Sequence, residues 1–113
     1  MDDARQHLPL SPQQFHILLA LADGDRHGYG ILLEISDRTA GAMRLGTGTL
    51  YTALAGLVDD RFIAEAAAPR REKSERRKYY RLTPLGRRVL TAETARLESL
   101  VKHARRKGIQ PAW

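Results

Sequence analysis

Thr49 and Thr52 each carry a hydroxyl and a methyl group, and they stand three residues apart. On a helix that spacing places both on one face. Hydroxyls and methyls are suited to the major groove, where base edges display hydrogen-bonding groups and the thymine methyl. Tyr51 sits at the flank of the pair, where a phenol reaches a phosphate. Thr47 and Arg44 lie just before them. No Lys or Arg occurs from residue 47 to residue 60, so this segment offers no bidentate reading of guanine, and Arg44 is the nearest cation on its amino-terminal side. An ordinary solvated helix face is the other reading of Thr49 and Thr52, and core packing is the other reading of Tyr51.

The second candidate group is a run of cations. Residues 70–81 hold Arg70, Arg71, Lys73, Arg76, Arg77, Lys78 and Arg81 against Glu72 and Glu75, a balance of +5, whereas residues 1–69 sum to −4. The net charge of +6 is therefore concentrated in a short stretch and in the last 18 residues, which add +4. A directed positive field of this kind suits a polyanion. Cations at such a site position a protein on phosphates or in the minor groove more than they specify sequence. A loop that is merely solvated is the competing reading of the charge run.

Both groups need elements to carry them. Leu50, Ala53, Leu54, Leu57 and Val58 recur at helical spacing and predict a helix starting near Thr47 or Thr49, with a small, uncharged outer face of Thr49, Thr52, Ala55 and Gly56. Phe62-Ile63-Ala64 and Lys78-Tyr79-Tyr80-Arg81-Leu82 read as strands, with residues 70–75 as the tip between them. Tyr79 and Tyr80 should then alternate, one in the core and one exposed. Upstream, Ser11-Pro12-Gln13-Gln14 is a capping-box start, and Phe15, Leu18, Leu19 and Ala22 mark the buried face of a first helix. His27-Gly28-Tyr29-Gly30 opens a second helix whose first turns are almost wholly apolar and should be sandwiched. Its two glycines suit a close backbone approach. Thr83-Pro84 repeats the cap-then-proline start, and a last helix runs from Pro84 to about Lys107, where Gly108 and Pro111 stop it. Leu90, Leu97, Leu100, Val101 and Ala104 form a narrow stripe along it, close to a 3.5-residue period.

The fold class expected is mainly α with a small β component: a winged helix-turn-helix followed by a C-terminal dimerisation helix. Residues 1–10 read as a flexible arm, 11–83 as the DNA-binding winged helix, 84–107 as the dimerisation helix and 108–113 as a tail. At 113 residues one domain is expected. No run of about 18 apolar residues predicts a membrane span, and the acidic N-terminus has no signal region. With no cysteine there is no disulfide framework. A cytoplasmic protein fits these features. His7, His16, His27 and His103 are scattered without metal-ligand spacing, no acid/base pair stands out, and neither catalysis, a metal nor a cofactor is expected.

Together, His27-Gly28-Tyr29-Gly30, Gly48-Thr49-Leu50-Tyr51 with Leu54 and Leu57, and Arg77-Lys78-Tyr79-Tyr80-Arg81-Leu82-Thr83 with Gly86 and Arg87 resemble the PadR family of bacterial transcriptional regulators, over roughly residues 11 to 107. The resemblance implies a winged helix that binds double-stranded DNA, a homodimer, and repression at an inverted repeat. It also implies the short subgroup, whose dimers often bind flat hydrophobic compounds between subunits, so a small hydrophobic inducer is expected. In the family a glycine usually precedes the first wing strand; here Arg61 stands in its place. The alternative to a DNA-binding regulator is a winged-helix interaction module whose basic wing meets an acidic partner protein.

Overall fold

A computed structural model describes residues 3–69 and 77–111. The expected wing tip, with Arg70, Arg71 and Lys73, falls outside the described residues, as do Arg76 and Trp113. Among the described residues, four α-helices and three short strands follow in the order α1 (Pro12–Ala20), β1 (Arg26–His27), α2 (Gly28–Arg38), α3 (Thr47–Asp59), β2 (Ile63–Ala66), β3 (Tyr79–Leu82) and α4 (Pro84–Arg106). The strands form one antiparallel sheet in the order β1-β3-β2, with Glu65 and Arg26 on either side of Tyr80. This is a winged helix-turn-helix.

The helix starts are set by side chains that satisfy first-turn amides. Ser11 Oγ accepts from the Gln14 amide while Gln14 Oε1 accepts from the Ser11 amide, a complete capping box. Thr83 Oγ1 accepts from the Gly86 amide. His27 caps α2 through Nδ1, which accepts from the Gly30 amide at 3.0 Å. Three helix ends share one device. The Phe62 amide donates to the Leu57 carbonyl, Gly41 to Ser36, and Ile109 to Ala104, each six residues back to one. That turn needs a left-handed residue, and Arg61 (φ 66°), Ala40 (φ 51°) and Gly108 (φ 81°) supply it. Arg61 thus adopts the conformation that a glycine would take more easily, at a cost on the order of 1 kcal/mol. The helix-to-strand turn survives the replacement because Leu57 and Phe62, both buried, pack on its inner side.

The core lies between α1, α2, α3, the sheet and the first half of α4. Four expectations are corrected by it. In α1 the fully buried residues are Ile17, Leu18 and Ala20, with Leu21 following, and Phe15, Leu19 and Ala22 are half-buried; α1 packs on α2, α3 and α4 at once, so its buried face is wider than one stripe. In α2, Ile31 and Ile35 are buried but Leu33 is exposed, so the helix is not sandwiched on every side. Tyr79 and Tyr80 are both buried, because β3 is the central strand and the His27 ring of β1 covers Tyr79 edge-on at 5.3 Å.

The fourth correction concerns the N-terminal arm, which is not loose over its described residues. Residues 4–7 form a 3₁₀ turn against α4, His7 stacks edge-on against Phe62 at 5.0 Å, and Leu10 is buried. Glu93 holds this segment. Its carboxylate is 1% exposed, and it accepts from the Leu10 amide at 2.7 Å and from the Arg96 guanidinium. A buried carboxylate persists only when paired in this way. Arg96 holds the Glu93 carboxyl below its ordinary range, the Leu10 amide adds to this, and burial opposes it.

Two predictions follow from these contacts. A Cβ on Gly86 would overlap the Phe62 carbonyl oxygen, which is fixed backbone. Gly86→Ala should therefore cost about 3 kcal/mol, the upper end of overpacking costs. Urea unfolding measures it, and a loss below about 1 kcal/mol would show that α4 slides aside freely. Glu93 has a lowered pKa in the fold, so its stabilisation is present above the unfolded glutamate value and is lost as pH falls through the folded value. Stability should fall in that acid window, and Glu93→Gln should flatten this part of the profile. An unchanged profile would remove Glu93 from the account.

Candidate nucleic-acid interface

α3 is anchored through Leu50, Leu54 and Leu57, each at most 1% exposed, and this rotation turns Thr47, Gly48, Thr49, Thr52, Ala55 and Gly56 outward. The outer face is as small and uncharged as expected. Gly46 caps α3 without a side-chain hydrogen bond, so the first-turn amides keep their positive ends toward solvent. Arg44 is exposed in the loop before α3, its guanidinium folded over Gly41.

Tyr51 is exposed along its ring, which settles it as a surface residue. Its hydroxyl lies against α2: a Cβ on Gly28 would be 2.9 Å from it. The close approach at Gly28 is therefore made by the Tyr51 side chain, and not by the second backbone that the glycine pair suggested. The wing root lies across from it. Arg77 is exposed, with Nη1 3.1 Å from His27 Nε2, and Lys78 reaches Glu65 at 3.5 Å. Exposed ion pairs of that length are worth little, so Lys78 is readily redirected to an anion.

The structure thus brings Tyr51, Arg77 and Lys78 to one open groove, while Thr49 and Thr52 lie on the exposed outer face of α3 and Arg44 precedes that helix. The groove, about 680 Å³, is also lined by Tyr29, Ala55, Asp59, Glu65 and Tyr80. None of these five is among the DNA-contacting residues expected from sequence, although Ala55 belongs to the expected outer face of α3. One signal was present: Tyr51, Ala55 and Asp59 follow one another at four-residue intervals and so share a line along α3. Along α4 the expected stripe divides. Leu90 is buried in the chain's own core, because the first turns of α4 seat on α1, and so Leu90 is not part of an exposed seam. Leu97, Leu100 and Val101 are exposed and Ala104 is half-buried; beyond Glu93 no residue of α4 is buried.

The profile of the PadR-like transcriptional regulators matches residues 17–92, which spans both the helix-turn-helix and the wing strands. The chain belongs to this family. A transcriptional regulator of Mycobacterium tuberculosis is 34% identical over 89 residues, covering 79% of this PadR-like chain and 78% of that protein. An uncharacterised transposon protein of Streptomyces fradiae is 41% identical over 80 residues, 71% of this chain, and this chain spans 21% of its length. The structure of Bacillus subtilis PadR in complex with operator DNA shares the fold, with a TM-score of 0.63 at 24% identity over 74% of this chain and 47% of that one. The family is one of transcription regulators and not of enzymes. Among the described residues of the PadR-like chain no helix is long and apolar enough to cross a membrane, and no three His, Asp or Glu residues converge as a metal site.

Proposed function

We propose that this transcriptional regulator is a sequence-specific repressor that binds double-stranded DNA as a homodimer on an inverted repeat, in the cytoplasm. The observation that carries the reading is the exposed, uncharged face of α3 with its two threonines, flanked by the cationic wing root. A helix of that kind enters a major groove without repelling it, and phosphate contacts are left to Tyr51, Arg77, Lys78 and the wing-tip cations. The operator complex of the Bacillus subtilis neighbour supports the same partner. The exposed stripe of Leu97, Leu100 and Val101, which are 36%, 52% and 48% exposed, supports pairing of α4 with a second copy. A small hydrophobic ligand held between the paired subunits would release the DNA by altering the spacing of the two α3 helices. Two such helices reach half-sites about 34 Å apart.

Titration against duplex DNA tests the partner. If each subunit of a dimer neutralises about three phosphates, log affinity against log salt has a slope of about −5. Arg77→Ala with Lys78→Ala should weaken operator and scrambled DNA alike, whereas Thr49→Ala or Thr52→Ala should lower the operator preference by about 1–3 kcal/mol. A flat salt response, or threonine variants with unchanged preference, would sink the assignment. It would favour the interaction-module reading if an acidic protein bound equally well.

Sedimentation tests the assembly. Leu97→Glu places a charge in the stripe, and the variant should become monomeric and lose tight operator binding. A wild type that sediments as a monomer at micromolar concentration, or a variant that stays dimeric and still binds operator, would refute the dimer.

A further inference from the structure

The groove between α3 and the wing root holds more chemistry than phosphate contact uses. Tyr80 on its floor is 6% exposed, yet its hydroxyl has no hydrogen bond to a described residue and opens to the groove. Burial pushes this phenol above its ordinary range, so it stays a neutral donor and acceptor. Asp59, in the last turn of α3, lines the same groove and has no hydrogen bond or ion pair to a described residue. The other carboxylate there, Glu65, is met by Lys78, and Arg77 stands beside His27. Tyr51, Ala55 and Asp59 lie along two turns of α3, about 12 Å. Ala55, between Tyr51 and Asp59, adds only a methyl group to this wall, and Tyr29, 59% exposed, also lines the groove. The volume of about 680 Å³ is that of a small-molecule site.

We propose that this groove is an effector site for an aromatic ammonium compound, within one subunit and separate from any ligand between subunits. The ring lies against Tyr51 and Tyr29, the ammonium faces Asp59, and Tyr80 takes a hydrogen bond from the ligand. Phenol faces and the Asp59 carboxylate attract an organic cation, while the groove's second carboxylate, Glu65, is already met by Lys78. Tyr51 and Lys78 line the same groove, so occupancy competes with DNA; that clause alone rests on the DNA-binding reading.

Calorimetric titration with tryptamine, 3-ethylindole and indole-3-propanoate, first without DNA, tests the site. Tryptamine should bind about 10-fold more tightly than either analogue, the worth of one charged hydrogen bond. Asp59→Asn should abolish that difference, and Tyr80→Phe should weaken tryptamine a few-fold, with thermal unfolding of both variants kept as in the wild type. Asp59→Asn should not weaken duplex DNA binding, since it removes a negative charge. Equal binding of the three probes, or tryptamine binding that Asp59→Asn leaves unchanged, would overturn the site. If the site holds, tryptamine should raise the protein concentration needed to half-saturate DNA in the wild type and not in Asp59→Asn. Probe binding without this effect, on a protein that binds DNA, would overturn the competition.

Discussion

The contact between Gly86 and the Phe62 carbonyl is the constraint on which the rest of the architecture depends. It lies where the end of α3, the start of β2, the end of β3 and the start of α4 meet. Thr83 completes the joint. Its hydroxyl lies within hydrogen-bond reach of the Arg61 and Phe62 carbonyls and accepts from the Gly86 amide, while its own amide donates to the Phe62 carbonyl. Because no side chain stands between α4 and this backbone, the helix carrying the exposed leucines is locked to the helix carrying the two threonines. Displacement of α4 at this joint is thus opposed by fixed backbone at Phe62 as well as by the Thr83 hydrogen bonds.

On the DNA-binding reading, contacts that hold the duplex and contacts that choose it fall on different elements. α3 carries no cation, so its approach to a groove gains nothing from nonspecific attraction and depends on shape, hydroxyls and methyls. The wing root and the residues beyond it carry the charge. Between them the groove is electrically mixed, with Asp59 and Glu65 facing Arg77 and Lys78. A purely positive concavity would hold any polyanion. Asp59 on α3 and Glu65 on β2 limit that and leave room for a second kind of occupant.

Much of this was legible in the sequence where a local rule decides the outcome. Ser11 with Gln14, Thr83 with Pro84, and the Leu50-Leu54-Leu57 period each specify a helix start or a helix face through neighbours in the chain. The misses share a different cause. Tyr79 is covered by His27, 52 positions upstream, whose two-residue strand gives no periodic signal of its own. The arm is held by Glu93, and nothing near residue 10 announces a carboxylate arriving from α4. Leu90 and Leu97 lie on one stripe by period, and only the distance over which α4 touches α1 separates core from surface. Asp59 and Tyr80 came together because α3 and β3 face across a groove, a relation that spacing along one element does not contain.

The bond between the Leu10 amide and Glu93 joins groups 83 residues apart. Closing a loop of that length carries an entropy on the order of 4 kcal/mol from the length term alone, and contacts of such separation form late and slowly. Leu10 and the His7–Phe62 stack therefore reach their places only after most of the chain is available. During synthesis the helix-turn-helix leaves the ribosome with one side of its core still uncovered, and α4, made after it, supplies the cover. Translation order and folding order thus oppose each other at this seam, and the interval between them is when the nascent chain presents its apolar surface to chaperones or to other copies of itself.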